Sequence, residues 1–341
     1  MEAATRPPPL QLAVSRGRRP YLIGVLTPDT LELSPDVREA LNRGAPVVAL
    51  ESSVLAQGLP IPANRDAAER MVSAVRSHGA TAAITAVSRG RPTLGLTGSD
   101  LERFLCRTGV RKVSSRDLGI AVAQRADGAT TVAATLVLAR TAGIEVFATG
   151  GIGGVHRRSA TEIALNAQLR DESADLPELT RSRLVVVCAG AKSILDLPAT
   201  WERLETLGIP VIGYRTNELP GFFTAQTGIN LSMRCDSAAE IARVARAHWS
   251  LGNGQGVLVV QPPPERYAMS GLEMKRVVES ALSDAEHKGI EGPATTPFLL
   301  DAVSRLTNRR SLDVNLDLLE NNAALAGDIA SALASKTRDS E

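Results

Sequence analysis

Short apolar segments rich in β-branched residues recur along this chain and alternate with longer stretches of helical periodicity. Leu184 to Cys188 is the most apolar of them, and Pro46 to Leu50 and Ile144 to Ala148 have the same character. A continuous apolar run of this length is typical of a strand that is buried on both faces of a parallel sheet. Strands that alternate with helices are joined by crossover connections. The sequence therefore predicts an α/β fold with a largely parallel sheet. Among its helices, one is predicted to be capped by Asn64 and to run to about His78, and another is predicted to open at Gly128 and to run through Ala142.

The composition excludes several classes of partner. The 341 residues carry a formal net charge of +1, so a concentrated basic face for nucleic acid is not expected. Aromatic residues make up only 3% of the chain, and no apolar run approaches the length of a membrane span. The cysteines Cys106, Cys188 and Cys235 are far apart and odd in number, which suits a reducing compartment. We therefore expect a cytoplasmic protein whose main partner is neither nucleic acid nor a membrane.

The first 30 residues differ from the rest of the chain. They are rich in arginine and proline and have little to bury, which predicts a disordered basic extension over residues 1–30. No acidic residue lies between Glu2 and Asp29, so an organellar transit peptide is the alternative to a solvated tail. Residues 31–335 contain neither a linker nor an internal repeat, and we predict that they form a single domain.

A charged side chain follows two of the predicted strands. Lys192 comes shortly after the run Leu184 to Cys188, and Glu51 directly follows Pro46 to Leu50. Open α/β sheets bind their ligands at the carboxyl ends of the strands, so both side chains are expected to converge there. A lysine that loses solvent in such a place becomes an amine nucleophile toward carbonyl groups. The alternatives are a surface lysine that caps a loop and a glutamate that caps a turn.

Two further segments offer polar groups. Thr149 to His156 is rich in glycine, but a histidine stands where the dinucleotide fingerprint needs its third glycine. We expect a turn that presents amide groups to an anion, or else a purely structural turn. Asp171 to Asp175 offers hard oxygen ligands, which suit manganese or magnesium held through water, or else it caps a helix. His156 is given no firm role, and Cys188 is expected to be an inert buried thiol.

Six longer motifs occur along the chain. They are Val47–Ser53, Asp127–Val132, Val146–Arg157, Val186–Asp196, Thr295–Leu300 and Ser311–Asn315. Together they resemble, in the same order and over about residues 33–330, the pseudouridine-5′-phosphate glycosidase family, which is also called indigoidine synthase A-like.

The resemblance implies a fold and an activity. The fold is a three-layer α/β/α arrangement around a mixed, largely parallel sheet, and the assembly is a homotrimer. The activity is cleavage of the carbon–carbon glycosidic bond of pseudouridine 5′-phosphate, which gives uracil and ribose 5-phosphate and requires Mn²⁺. A lysine Schiff base suits this reaction, because an iminium can balance the electrons that leave with carbon C5 of the uracil.

The resemblance also implies roles for individual residues. Glu51 matches the proton donor, Lys192 the covalent nucleophile and Asp171 the metal-associated aspartate. The residues implied to bind or adjoin the substrate are Lys112, Val132, Ser173, Ala174, Asp175 and Asn315.

The chain departs from the family pattern at two places. The segment between Arg157 and Asp171 is longer by about seven residues, and Glu172 stands where the family has an apolar residue. An aldolase that forms a Schiff base with another sugar phosphate is the alternative function. A phosphosugar-binding module without catalytic activity is a third possibility, but neither alternative explains why Glu51, the glycine turn, the Asp171 run and Lys192 occur together.

Overall fold

The computed structural model of the protein describes residues 30–157, 171–290 and 295–335. The predicted extension, apart from Thr30, lies outside the described residues, and so does the longer segment at 158–170. Over the described residues, one mixed and mostly parallel sheet carries helices on both sides, which confirms the predicted fold class. None of the described helices is both long enough and apolar enough to cross a membrane.

The sheet contains eleven strands within the described residues. They are β1 (Glu32–Leu33), β2 (Val47–Leu50), β3 (Thr81–Ser88), β4 (Arg91–Leu94), β5 (Arg111–Val113), β6 (Gly128–Thr130), β7 (Val146–Ala148), β8 (Val185–Cys188), β9 (Val211–Tyr214), β10 (Arg234–Cys235) and β11 (Val257–Val260). Their order is β1-β4-β3-β2-β7-β8-β11-β9-β10. Strand β3 runs antiparallel to β4 and to β6, β5 pairs in parallel with β6, and the remaining pairs are parallel.

The helices of the described residues connect these strands or cover them. They are α1 (Pro35–Asn42), α2 (Ala63–Ser77), α3 (Gly98–Cys106), α4 (Leu118–Ala123), α5 (Val132–Ala142), α6 (Asp175–Leu179), α7 (Leu197–Thr206), α8 (Ala238–Ser250), α9 (Gly271–His287), α10 (Thr295–Leu306) and α11 (Arg310–Ala334). A one-turn π-helix, Val54–Gly58, follows β2.

Helix α11 covers the centre of the sheet. It packs across β2, β7 and β8 and lies beside α2 and α8, while α5 packs against β2 and β3. Every residue of β2, β7, β8 and β11 is buried, as the apolar runs predict. Full burial of one valine or leucine side chain contributes about 1.5–3 kcal/mol, so these strands contribute strongly to the stability of the fold.

The strand register places the ends of three neighbouring strands at one level. Leu50 of β2 pairs with Ala148 of β7, which in turn pairs with Val187 of β8. The residues that follow these strands therefore emerge side by side at one edge of the sheet. The predicted convergence of Glu51 and Lys192 rests on this register.

The segment before α5 differs from the prediction. A helix that opens at Gly128 is expected from the small residues there, but Gly128–Thr130 forms strand β6 and the helix begins at Val132. A Cβ atom on Gly128 would lie 2.5 Å from Cγ2 of Val113, so only glycine allows this close pairing with β5. The prediction was wrong because a strand of three small residues has no periodicity of its own.

The start of α2 also differs from the prediction. Asn64 is expected to cap the helix, but it lies inside the helix and is buried. Its Nδ2 donates hydrogen bonds to the carbonyl oxygens of Leu55 (3.0 Å) and Leu105 (2.9 Å). This asparagine therefore fastens the segment after β2 to α3. Tertiary partners replace the local cap that the sequence indicates.

Candidate active site

A cavity of about 450 Å³ opens at the carboxyl ends of β2, β7 and β8. All nine residues singled out from the sequence line it, namely Glu51, Lys112, Val132, Asp171, Ser173, Ala174, Asp175, Lys192 and Asn315. They come from separate parts of the chain, and the fold brings them together. The wall of the cavity combines these polar groups with apolar side chains such as Phe222 and Leu300.

Glu51 lies at the end of β2 and is 4% exposed. Both oxygens of its carboxyl group accept hydrogen bonds from hydroxyl groups. Ser53 Oγ donates to Oε2 at 2.5 Å, and Thr149 Oγ1 donates to Oε1. The partners of the carboxyl group are thus side chains that lie just after β2 and β7, and the group lines the cavity at the same time. The two hydrogen bonds fix the orientation of this carboxyl group at the cavity.

Lys192 is half-buried and follows β8 through Gly190. Gly190 has a φ of +86°, and a Cβ atom there would lie 2.3 Å from the carbonyl oxygen of Pro220. The backbone amide of Lys192 donates to the carbonyl oxygen of Ile152 at 3.1 Å. Among the described residues, no carboxylate lies within ion-pairing distance of its side-chain nitrogen. The backbone of Lys192 is therefore fixed, while its amine faces the cavity without a paired carboxylate.

Lys112, on β5, reaches the mouth of the cavity from another side. Its side chain is accessible to solvent, yet the cavity walls remove part of the water around its ammonium group, and this desolvation lowers its pKa. The positive charge of Lys192 lowers the pKa of Lys112 further, and the carboxylates of Asp175 and Glu51 oppose the effect. The other three groups are thus close enough to Lys112 to act on it electrostatically.

Asp175 connects two walls of the cavity. Its Oδ1 accepts a hydrogen bond from the amide of Ala133 (2.9 Å), in the first turn of α5, and its Oδ2 accepts one from the amide of Gly153 (2.8 Å). Ser173 supports this arrangement, because its Oγ accepts from the amide of Asp175 at 3.2 Å. A buried carboxylate with two amide donors is strongly oriented.

The glycine turn, Thr149–His156, is largely a structural element. The amides of Ile152, Gly153, Val155 and His156 all donate to other protein atoms. A Cβ atom on Gly153 would lie 2.2 Å from Ser173 Oγ, so close packing accounts for this glycine. The turn does present an amide to an anion, but that anion is the carboxylate of Asp175.

The predicted metal residue lies at the rim of the cavity. The side chain of Asp171 is 69% exposed, and its Oδ2 lies 3.9 Å from Nε2 of His156. The neighbouring Glu172, which departs from the family pattern, pairs with Nε of Arg203 at 2.9 Å. The described residues contain no group of three side chains that could hold a metal ion. This donor set fits a hydrated hard cation that has Asp171 as its protein ligand.

Several residues of the site were not found by sequence reasoning. Thr149 and Ser53 hold Glu51, and Thr131 caps α5 at the cavity wall. Thr149 directly follows β7, so the rule that strand ends meet could have identified it. Phe222 has a φ of 68° and reaches the cavity from a long loop, and no local signal in the sequence indicates its role.

The fold and the cavity define an α/β protein with a largely parallel open sheet and an enzyme-like cleft at the carboxyl ends of its strands. The family model described as indigoidine synthase A-like protein matches residues 36–332. The chain belongs to this family, as the resemblance of its motifs predicts.

Curated relatives with a stated name are highly similar in sequence. The pseudouridine-5′-phosphate glycosidase of Gemmatimonas aurantiaca is 59% identical over 301 residues, which cover 88% of this chain and 95% of that protein. The protein of the same name from Herpetosiphon aurantiacus is 48% identical, with 89% of this chain and 98% of that protein covered.

Two crystal structures share the fold. The prealnumycin C-glycosynthase AlnA, in complex with ribulose 5-phosphate, has a TM-score of 0.80 and 39% sequence identity, and covers 89% of this chain and 97% of its own. An indigoidine synthase A-like protein from Thermotoga maritima also has a TM-score of 0.80, with 36% identity, and covers 89% of this chain and 96% of its own.

Asn322, on α11, has no exposed surface and contacts the backbone of Thr149, the residue that holds Glu51. Its Nδ2 donates to the carbonyl oxygen of Thr149 at 2.8 Å, and its Oδ1 accepts from Nε2 of Gln261 at 2.8 Å. The carbonyl oxygen of Thr149 can only accept a hydrogen bond. Asn322→Asp would replace the donor with a carboxylate oxygen, which repels this carbonyl oxygen. We expect this change to lower the free energy of unfolding by about 3 kcal/mol at neutral pH, measured by urea denaturation.

The pH dependence of this effect has a definite sign. Burial, together with the carbonyl oxygen of Thr149 that faces it, raises the folded-state pKa of the introduced carboxyl group above its ordinary value of about 4. The loss of stability is therefore largest well above that pH and shrinks as the pH falls toward it. Asn322→Leu is the control, because it removes the same hydrogen bonds without adding a charge. An Asn322→Asp variant with the same loss at every pH would contradict the prediction.

Proposed function

We propose that this chain cleaves the C–C glycosidic bond of pseudouridine 5′-phosphate to give uracil and ribose 5-phosphate. One observation carries the proposal: a carboxyl group, Glu51, and an amine without a paired carboxylate, Lys192, face the same cavity from strands on either side of β7. The names of the curated relatives support the choice of this substrate.

The reaction can be written with these two groups. The amine of Lys192 attacks C1′ of the ribose, the ring oxygen leaves C1′, and the proton that the nitrogen then loses passes to this oxygen. The bond from C1′ to C5 of uracil then breaks, its electron pair stays with C5, and the nitrogen lone pair forms an iminium with C1′. Glu51 gives its proton to C5, and water finally hydrolyses the iminium to release ribose 5-phosphate. An ordinary glycosidase instead uses two carboxylates, because its leaving atom is not carbon.

The positive charges of two lysines at the cavity suit the phosphate group of a phosphorylated sugar. Lys112 brings positive charge near Lys192, and Asp175 orients the first turn of α5. The C-glycosynthase AlnA, which shares the fold, binds ribulose 5-phosphate, a sugar phosphate of similar size. We propose that Lys112, Val132 and residues 173–175 contact the sugar phosphate and that Asn315, which lines the same cavity, adjoins the bound substrate.

The proposal is tested by incubating the protein with pseudouridine 5′-phosphate and measuring the release of uracil. The reverse reaction, from uracil and ribose 5-phosphate, should give a product with the mass of pseudouridine 5′-phosphate. Formation of a Schiff base with sugar phosphates but no uracil release would favour the alternative, an aldolase. Absence of both reactions would reject an enzymatic role for the site.

A divalent cation is proposed to bind at Asp171. The described residues contain no group of three side chains that could hold a metal ion, so most of its ligands would be water, and the affinity should be modest. When bound, Mn²⁺ would supply positive charge beside a phosphate or an oxygen of the substrate. We expect chelation to lower turnover and added Mn²⁺ to restore it, whereas Asp171→Asn should need much more Mn²⁺. Unchanged turnover after chelation would reject the proposal, and the paramagnetic resonance of Mn²⁺ titrated into the protein measures binding independently.

We propose that the protein assembles as a homotrimer and is located in the cytoplasm. The family resemblance favours a homotrimer, which sedimentation equilibrium can test directly. The three cysteines are free, which suits a reducing compartment such as the cytoplasm.

A further inference from the structure

Thr149 is a buried residue that contacts the candidate active site through Glu51. It directly follows β7, is 1% exposed and does not line the cavity. Its hydroxyl group nevertheless reaches the neighbouring strand and donates a hydrogen bond to Oε1 of Glu51. This bond crosses from the end of β7 to the end of β2, so it depends on the register of the sheet.

The backbone of Thr149 is held on two sides. Its amide donates to the carbonyl oxygen of Val187 on β8 at 3.0 Å, and its carbonyl oxygen accepts from Nδ2 of Asn322 at 2.8 Å. The second carbonyl in reach of Asn322, that of Gly150, lies 3.4 Å from the same nitrogen. The hydroxyl group of Thr149 is thus carried by a backbone that cannot easily shift.

Ser53 complements Thr149 on the other oxygen of the same carboxyl group. It is half-buried, lines the cavity and donates to Oε2 of Glu51 at 2.5 Å. Oε2 of Glu51 is therefore held by a residue of the cavity wall, and Oε1 by a buried residue that does not line the cavity. Two hydrogen bonds from different elements fix both the position and the plane of a carboxyl group.

We infer that Thr149 is a positioning residue for Glu51, whose hydroxyl group orients the carboxyl group and stabilises the charge that forms on it. The inference rests on the proposed function, in which Glu51 gives its proton to C5 of uracil. As that proton leaves, a full negative charge develops on the carboxyl oxygens. A hydroxyl donor already aimed at one of them stabilises this charge without further reorganisation.

The test compares Thr149→Val, which keeps the shape and loses the hydroxyl group, with Thr149→Ser, which keeps the hydroxyl group. We expect Thr149→Val to lower kcat roughly tenfold or more with little change in KM, because the lost bond acts as charge develops on Glu51. Thr149→Ser should stay near the parent. Thr93→Val is the matched control, because Thr93 is also buried but donates only to the carbonyl oxygen of Arg91. Its kcat should equal that of the parent.

A second readout does not depend on turnover. The carboxyl carbon of Glu51 can be observed by ¹³C NMR in protein labelled at the glutamate carboxyl groups, and Glu51→Gln identifies its signal. Thr149→Val should move this signal, and Thr149→Ser and Thr93→Val should leave it in place.

The outcomes separate this inference from the proposed function. A Thr149→Val variant with the parent's kcat or an unmoved signal would overturn the inference, and so would a Thr149→Ser variant that matches Thr149→Val. If the parent itself releases no uracil, the proposed function fails. The carboxyl signal alone then decides whether Thr149 positions Glu51.

Discussion

Replacing Lys192 by alanine is expected to abolish turnover of pseudouridine 5′-phosphate, with a fall of roughly 10⁴-fold or more. The amine is the only group proposed to bond to C1′, and water cannot take its place in forming the iminium. Lys192→Arg should be equally inactive, because a guanidinium keeps the charge but has no free amine. Uracil release, followed by absorbance or chromatography, measures the effect.

Borohydride trapping tests the covalent step directly. Reduction in the presence of ribose 5-phosphate should attach a ribose phosphate to a peptide that contains Lys192. The neighbouring Lys112 makes this a demanding test, since its pKa is lowered and its amine faces the same cavity. An adduct that moves to Lys112 in the Lys192→Ala variant would show an accidental reaction, whereas undiminished trapping at the original level would contradict the assignment. Lys275→Ala, on α9, is a control outside the cavity.

The second large effect is expected for Glu51→Gln, which should lower turnover by roughly a hundredfold or more. Glutamine keeps the shape and still accepts a hydrogen bond, but it has no proton to give to C5 of uracil. The buried position of the carboxyl group and its two hydroxyl partners mean that no other described carboxyl group has the same setting. Steady-state kinetics over a range of pH measures the change.

The other steps should survive in this variant. Substrate binding and trapping at Lys192 rest on other residues, so both are expected to persist in Glu51→Gln. Glu172→Gln is a suitable control, because Glu172 pairs with Arg203 at the rim of the cavity and has no proposed part in proton transfer. If Glu51→Gln releases uracil as fast as the parent at every pH, Glu51 is a structural residue and the proton comes from another group.

Much of the central fold follows from the sequence. Strands β2, β7, β8 and β11 can be recognised from their apolar runs, because strands buried on both faces need apolar residues at every position. The positions of Glu51 and Lys192 follow in turn, since a residue after such a strand must lie at the ligand-binding edge. Local pattern and a general rule of sheet geometry were enough for both.

Other features depended on contacts that the local sequence does not encode. Strand β6 exists because Gly128 lets it pair with β3 and β5, and Asn64 leaves its expected cap position because two distant carbonyl groups accept from it. The glycine turn uses its amides within the protein, and one of them binds the carboxylate of Asp175. Sequence patterns report on neighbours within a few residues, whereas these partners lie further along the chain.

The sequence by itself determined the fold class, the buried strands and the candidate catalytic pair, because burial and strand direction act on each segment separately. The tertiary structure alone decided what surrounds that pair. Thr149 meets Glu51 only because the register of β2 against β7 brings positions 98 residues apart into hydrogen-bonding distance. Asn322 reaches Thr149 only because α11 packs across the same strands. The placement of a reactive group can follow from its own strand, but its orientation is set by side chains that the fold alone brings near.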